Sequence, residues 1–310
     1  MRVVVSGSTG LIGSSLTDRL RSAGHKVLTL HRFVPTSGDR LRWDPSSGAI
    51  DWGTHCGTQV DAVIHLAGEN IGANRWSAAR KVEFRLSRVE ATRSLVKTLL
   101  ELPQPPSMFI GASAIGYYGD HGDNWIEEHQ ASGSDFISKL ALDWEQATLP
   151  LKAVACRVVH ARFGMVLSMN GGAFAKMLTP FRWGLGAQLG SGQQWMSWIS
   201  LEDCTAALLH ALIAPKLAGG VNFVSPAPLR NTNFTQALAR LLHRPALCRV
   251  PAGLLRIVFG EMADALLLRS QRVAPTQLNA SGFRFADPTF EPMLVRLLNN
   301  RSPNSVRNRR

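Results

Sequence analysis

No apolar stretch in this sequence reaches the roughly 18 residues that a bilayer-spanning helix needs, because Gly, Pro or a charged residue interrupts each one first. A membrane partner is therefore not expected. Cysteine is sparse: Cys56, Cys156, Cys204 and Cys248 stand far apart, with no C-x-x-C pair. That spacing argues against a thiolate zinc site and a disulfide framework, so no metal is expected and a reducing, cytoplasmic compartment is. Tyrosine is scarcer still, Tyr117 and Tyr118 being the only two, which limits the phenolic chemistry available. Acidic residues are outnumbered, 22 Asp and Glu against 34 Lys and Arg, for a formal net charge of +12.

So basic a protein usually meets nucleic acid or an acidic surface. Here part of the excess lies in a polar run after the last apolar segment, with Arg301, Arg307, Arg309 and Arg310, and 299–310 is expected to be a solvated, disordered tail. The other arginines are scattered, without the aromatic-interleaved basic strand that stacks single-stranded bases. Nucleic-acid binding thus rests on charge alone and is the least favoured reading. The body of the chain has the composition of a soluble globular protein, and its length suits one large domain with a smaller appendage. Met1-Arg2-Val3-Val4-Val5 runs straight into a glycine-rich turn, so the opening residues are expected to be structure rather than a secretory address.

Residues Arg2 to Ser6 form a short β-branched run, followed by Gly7-Ser8-Thr9-Gly10-Leu11-Ile12-Gly13 and an amphipathic stretch from Ser14 to Ala23. Strand, glycine turn and helix in that order predict a dinucleotide-binding loop. Gly7 permits the tight turn, Gly10 lets backbone approach a pyrophosphate, and Gly13 allows close helix-to-strand packing. The NH groups of the helix start would face the phosphates. A second strand, Lys26 to Leu30, ends at His31-Arg32, where a protein preferring NAD carries an acidic residue. A guanidinium there suits a 2′-phosphate, so Arg32, with His31 as helper, predicts NADP(H) over NAD.

The next landmark is Asp61-Ala62-Val63-Ile64-His65-Leu66-Ala67-Gly68, and later comes Ser113-Ala114-Ile115-Gly116-Tyr117-Tyr118-Gly119. With the glycine loop, these segments resemble the extended short-chain dehydrogenase/reductases, the NAD-dependent epimerase/dehydratase superfamily. Glu69-Asn70-Ile71, Arg75-Trp76, Ser87-Arg88, Pro180-Phe181-Arg182, Gly190-Ser191-Gly192-Gln193 and Trp198-Ile199 narrow the resemblance to a YfcH-type epimerase-like subfamily. Residues 244–283 are similar to its small C-terminal domain of unknown function. The resemblance implies that Thr9, Leu11, Ile12, Leu66, Ala67 and Arg88 contact the cofactor, that Glu83 helps, and that Val166 meets the nicotinamide end.

Superfamily members that move hydride use a Tyr and a Lys four residues later, the Lys lowering the Tyr pKa so that phenolate acts as base. This sequence has His121 and Gly122 four residues beyond its tyrosines. Lys139 lies where the lysine is expected, but Asp135 stands in the tyrosine's place. Two accounts follow. In one, the site works with substituted parts: Ser113 holds a substrate oxygen, Tyr117 or Tyr118 acts as acid, and Lys139 anchors the ribose. In the other, hydride transfer is lost and the protein is an NADPH-binding regulator or scaffold, linked in some relatives to cell division.

The strand and helix signals alternate, with strands near 2–6, 26–30, 61–66, 107–112, 153–159 and 219–224, which predicts an α/β Rossmann-type doubly wound parallel sheet. The expected organisation is a nucleotide-binding domain over 1–225, with a cleft loop about 168–198, and a smaller, mainly helical lobe over 226–298. The function read from this is an NADP(H)-binding, epimerase-like oxidoreductase acting on a small or nucleotide-linked hydroxyl or carbonyl substrate. The superfamily often dimerises through a helix pair, which makes a homodimer an open expectation here.

Overall fold

The computed structural model describes residues 1–299, so the basic tail anticipated over 299–310 lies, from Asn300 on, outside the described residues. Eight strands form the central sheet: β1 Arg2–Ser6, β2 Lys26–His31, β3 Arg40–Trp43, β4 Ile50–Asp51, β5 Ala62–His65, β6 Met108–Ala114, β7 Arg157–Phe163 and β8 Gly219–Phe223. Their order is β8-β7-β6-β5-β1-β2-β3-β4, every pairing parallel except β3 with β4. The doubly wound parallel sheet expected from the alternating signals is there, with an antiparallel hairpin at one edge that they did not reveal.

Strands covered on both faces read as near-continuous apolar runs, and Val3, Val4 and Val5 are fully buried. Alternate residues go to opposite layers. Val3 and Val5 pack with Leu16 and Leu20 of α1 (Leu11–Ser22) and with Ala207 and Leu208 of α6 (Leu201–Ile213). Val4 packs on the other side with Leu95 and Leu99 of α3 (Ala91–Leu100), which follows α2 (Ala78–Arg85). The strand expected at 153–159 is displaced: Leu149–Val154 is a 3-10 turn, Ala155 takes a left-handed φ of 53°, and the extended run starts at Arg157.

Beside β6 lies α4 (Phe136–Gln146), whose Ile137, Leu140 and Trp144 share a cluster with Ala112 and Phe84. The mainly helical C-terminal part shares a core with residues from before it. Phe234 and Leu238 of α7 (Asn231–Leu242) meet Phe174 and Phe181 of α5 (Gly172–Arg182), Trp198, and Phe290 and Met293 of the last helix (Phe290–Asn299). Among the described residues no helix is long and apolar enough to cross a membrane.

Candidate functional site

Ser6 and His65 pair at the carboxyl ends of β1 and β5, where the strand order reverses, and an open α/β sheet takes its ligand in the crevice beyond such a point. Gly7 leaves β1 at φ +69°, and a Cβ there would stand 2.7 Å from the Leu66 carbonyl carbon. At Gly13 a Cβ would be 2.1 Å from the Gly7 oxygen. Strand, loop and helix therefore approach too closely for any side chain at either position. Gly10 is the N-cap of α1; among the described residues no side chain caps this helix start and no acidic residue sits in its first turn. Its NH groups and positive dipole end are left to an outside anion.

From this loop a cleft of about 370 Å³ runs past Thr9, Leu66 and Ala67 to His31 and Arg32. A ring nitrogen of His31 lies 2.9 Å from Thr29 Oγ1, and burial, with the nearby charge of Arg40, lowers its pKa. Arg32 is exposed, with its guanidinium 5.4 Å from the Phe33 ring centroid. A second cavity, about 450 Å³, shares Gly7, Gly10, Leu66, Gly68 and Glu69 with the first, so the two are one trench.

Leu11, Ile12, Gly13 and Val166 line this second end, as do Ser113 at the close of β6 and Arg88 from the turn between α2 and α3. Arg88 donates to the Glu69 carbonyl at 2.7 Å and lies 5.2 Å from the Trp144 ring centroid. Burial pushes its pKa down to about 10 against the opposing charge of Glu69. The Glu69 carboxylate is engaged elsewhere, 3.3 Å from Arg80. Arg88 thus brings a guanidinium into the trench with a backbone carbonyl as its nearest acceptor, a donor set suited to an anionic or carbonyl oxygen.

A family model described as the NAD dependent epimerase/dehydratase family matches residues 3–223. The chain belongs to this family. A second model, a domain of unknown function (DUF1731), matches residues 250–297. Epimerase family protein Mb2239 of Mycobacterium bovis is 45% identical over 288 residues, covering 93% of this chain and 94% of the relative. The crystal structure of human epimerase family protein SDR39U1 (isoform 2) with NADPH superposes with a TM-score of 0.88 at 35% identity, over 97% of this chain and 100% of that one. The nucleoside-diphosphate sugar epimerase from Corynebacterium glutamicum gives 0.79 at 31% identity, over 96% of this chain and 58% of that one.

Within this family member, several residues singled out from the sequence stand away from the trench. Glu83 is exposed on α2 and pairs with Arg80. Asp135 is the N-cap of α4: its Oδ1 accepts from the Ile137 and Ser138 NH groups at 2.9 and 3.1 Å, and its Oδ2 pairs with Arg269 at 2.7 Å. Lys139 is exposed and lines neither end. The reason is helical phase. The face of α4 toward the cavity carries Ile137, Leu140, Ala141 and Trp144, and at about 100° per residue position 139 falls well off that stripe.

Neither tyrosine lines the trench. Tyr118 is buried, donates to Asn222 Oδ1 at 2.6 Å and accepts from Arg162 at 2.8 Å. Burial pushes its pKa up to about 12, with the Arg162 charge opposing. The Arg162 guanidinium also lies 3.7 Å from the Tyr117 ring centroid. The hub of this network, Arg162 with Glu145, escaped sequence reasoning. Burial alone would lower the Arg162 pKa, but hydrogen bonds and charge from Glu145 outweigh it and raise it. A signal was present: Arg162 interrupts the apolar strand Arg157–Phe163 directly beside Ser113, and a buried guanidinium requires a carboxylate.

Proposed function

We propose that the chain binds NADPH along this trench and holds it without the tyrosine–lysine apparatus of hydride transfer, as a sensing or scaffold protein. The glycine cradle, too tight for any Cβ, and the uncapped start of α1 support a pyrophosphate over Gly7, Thr9, Gly10, Leu11, Ile12 and Gly13. Arg32 supplies the cation for a 2′-phosphate, with the His31 ring beside it, and the NADPH named with the human relative agrees with it. Leu66, Ala67 and Arg88 would hold the middle of the nucleotide and Val166 the nicotinamide end. NADPH carries a transferable hydride at its nicotinamide end, and this reading leaves it unused. Residues 1–225 are then the nucleotide domain, and 226–298 the lobe beside it.

The observation that carries the reading is the apolar face of α4, Ile137, Leu140, Ala141 and Trp144, with Lys139 exposed and Tyr118 committed to Arg162 and Asn222. A base must reach the proton it abstracts, and neither of these groups does. Turnover on a small hydroxyl or carbonyl compound is the second reading, favoured by Ser113 at the cavity wall.

Calorimetry with NADPH and NADH, followed by cofactor oxidation against a panel of carbonyl compounds, separates the two. Tight NADPH binding without turnover is the expected result. Arg32→Ala should weaken NADPH at least tenfold and leave NADH nearly unchanged. Turnover would select the second reading, and failure to bind either nucleotide would overturn both.

A further inference from the structure

A cavity of about 340 Å³ lies away from the trench, between α5, α7 and the helix Ala252–Phe259. It shares no lining residue with either end of the trench. Helix α5 stands between them, giving Gly172 and Ala173 to the trench and Met177, Pro180 and Phe181 to this cavity. Phe234, Val250, Leu255 and Phe259 continue an apolar wall, and Leu185, Leu254 and Val258, each about half exposed or more, mark its mouth. Among the described residues no Asp, Glu, Lys, Arg or His lines it. An ionised group taken inside would lose its hydration and find no counter-ion, which disfavours it strongly.

Two side chains in the wall are polar, Asn231 and Thr235. They stand four residues apart on α7, so they share a face, and both are buried, with 2% and 3% of their surface exposed. Asn231 Oδ1 accepts from the Leu189 NH at 2.9 Å, which fixes the amide orientation and leaves Nδ2 as the donor. Its neighbour is Met196 Sδ at 3.5 Å, a weak acceptor that takes at most one of the two amide protons. A helical threonine can return its hydroxyl to the carbonyl one turn back, as Thr17 does to Gly13 at 2.7 Å. The Thr235 hydroxyl does not, and it has no hydrogen-bond partner among the described residues. Buried polar groups are partnered as a rule, so two donors left over on one face of an otherwise apolar cavity mark a place for an acceptor from outside.

We infer that this cavity binds an uncharged ligand with an aliphatic body and a carbonyl oxygen, a ketone or an ester, whose two lone pairs accept from Asn231 Nδ2 and Thr235 Oγ1. The body lies against Phe181, Phe234 and Leu255, and its far end reaches the apolar mouth. The volume is near the lower end of the range for small-molecule sites and suits a chain of roughly nine carbons. The inference stands apart from the nucleotide reading, which concerns the trench.

The test titrates the full chain at pH 7 with 2-nonanone and with nonanoate, by protein NMR, with and without NADPH. The ketone should bind at least tenfold tighter, because the carboxylate either gives up its hydration inside or leaves both donors unmet. Thr235→Val keeps the shape and removes the hydroxyl. One neutral hydrogen bond predicts about fivefold weaker ketone binding in that variant, and its thermal midpoint without ligand should be no lower than that of the wild type, since no partner in the protein is lost. No ketone binding, a preference over nonanoate below tenfold, unchanged ketone affinity or a lowered midpoint in Thr235→Val, or displacement of the ketone by NADPH would each overturn the inference. A chain that binds the ketone as expected but no NADPH would overturn the nucleotide reading alone and support this one.

Discussion

His65 ends β5 immediately before Leu66 and Ala67, and its ring is fully buried, with one nitrogen 2.6 Å from Ser6 Oγ and the other without a partner among the described residues. Ser6 Oγ also accepts from the Ala67 NH at 3.3 Å, so the neutral ring helps hold the backbone that lines the trench. Burial pushes the His65 pKa down to about 4. The unfolded chain takes a proton there below about 6.5 and the folded chain only below about 4, so in that window the unfolded state binds more protons and stability falls as pH falls. Denaturant unfolding at pH 7 and pH 4.5 should show a loss of roughly 2 kcal/mol attributable to this ring. The loss should be absent from the matched comparison in His65→Gln, and an identical pH dependence in the two proteins would refute the assignment.

At the scale of elements, the first strand, loop and helix were legible because their signals are local. The β-branched run, the three glycines and the amphipathic stretch each dictate backbone conformation within a few residues. Gly13 is the tightest point, and a methyl group there would meet the Gly7 and Ser8 backbone. Gly13→Ala should therefore separate α1 from β1, lower the unfolding midpoint, and weaken NADPH by more than tenfold in calorimetry; wild-type affinity in this variant would contradict the cradle. The phase of α4 was not legible. The family resemblance suggested Lys139, yet the packing of Ile137, Leu140 and Trp144 with Phe84 and Ala112 sets which side turns inward, and those partners are distant in sequence.

Over the whole molecule, the trench draws on the loop after β1, the ends of β2, β5 and β6, the start of α3, α4, and Gly172 and Ala173 of α5. The C-terminal segment also reaches across to the N-terminal part: Lys81 Nζ pairs with Glu261 at 2.5 Å, and Arg75 donates to the Ile257 carbonyl at 3.2 Å. A ligand bound by so many elements stabilises them together. NADPH at a hundredfold excess over its Kd should raise the unfolding free energy by about 2.7 kcal/mol, read as an upward shift of one thermal transition. A shift confined to one of two resolved transitions would argue that the two parts respond separately.

What the sequence determined by itself was whatever short-range pattern controls: the alternation that makes a parallel sheet, the glycines that no other residue can replace, and the basic pair His31-Arg32 at the end of β2. The scarcity of tyrosine was equally visible and already put the hydride-transfer pair in doubt. Only the tertiary structure decided that Tyr118 belongs to a buried network, that Lys139 and Glu83 are exposed, and that Ser113 spends its proton on Glu145. Those outcomes depend on Arg162, Glu145 and Asn222 meeting from separate elements. Helical phase and buried charge pairing are settled by packing between distant segments, which local spacing does not encode.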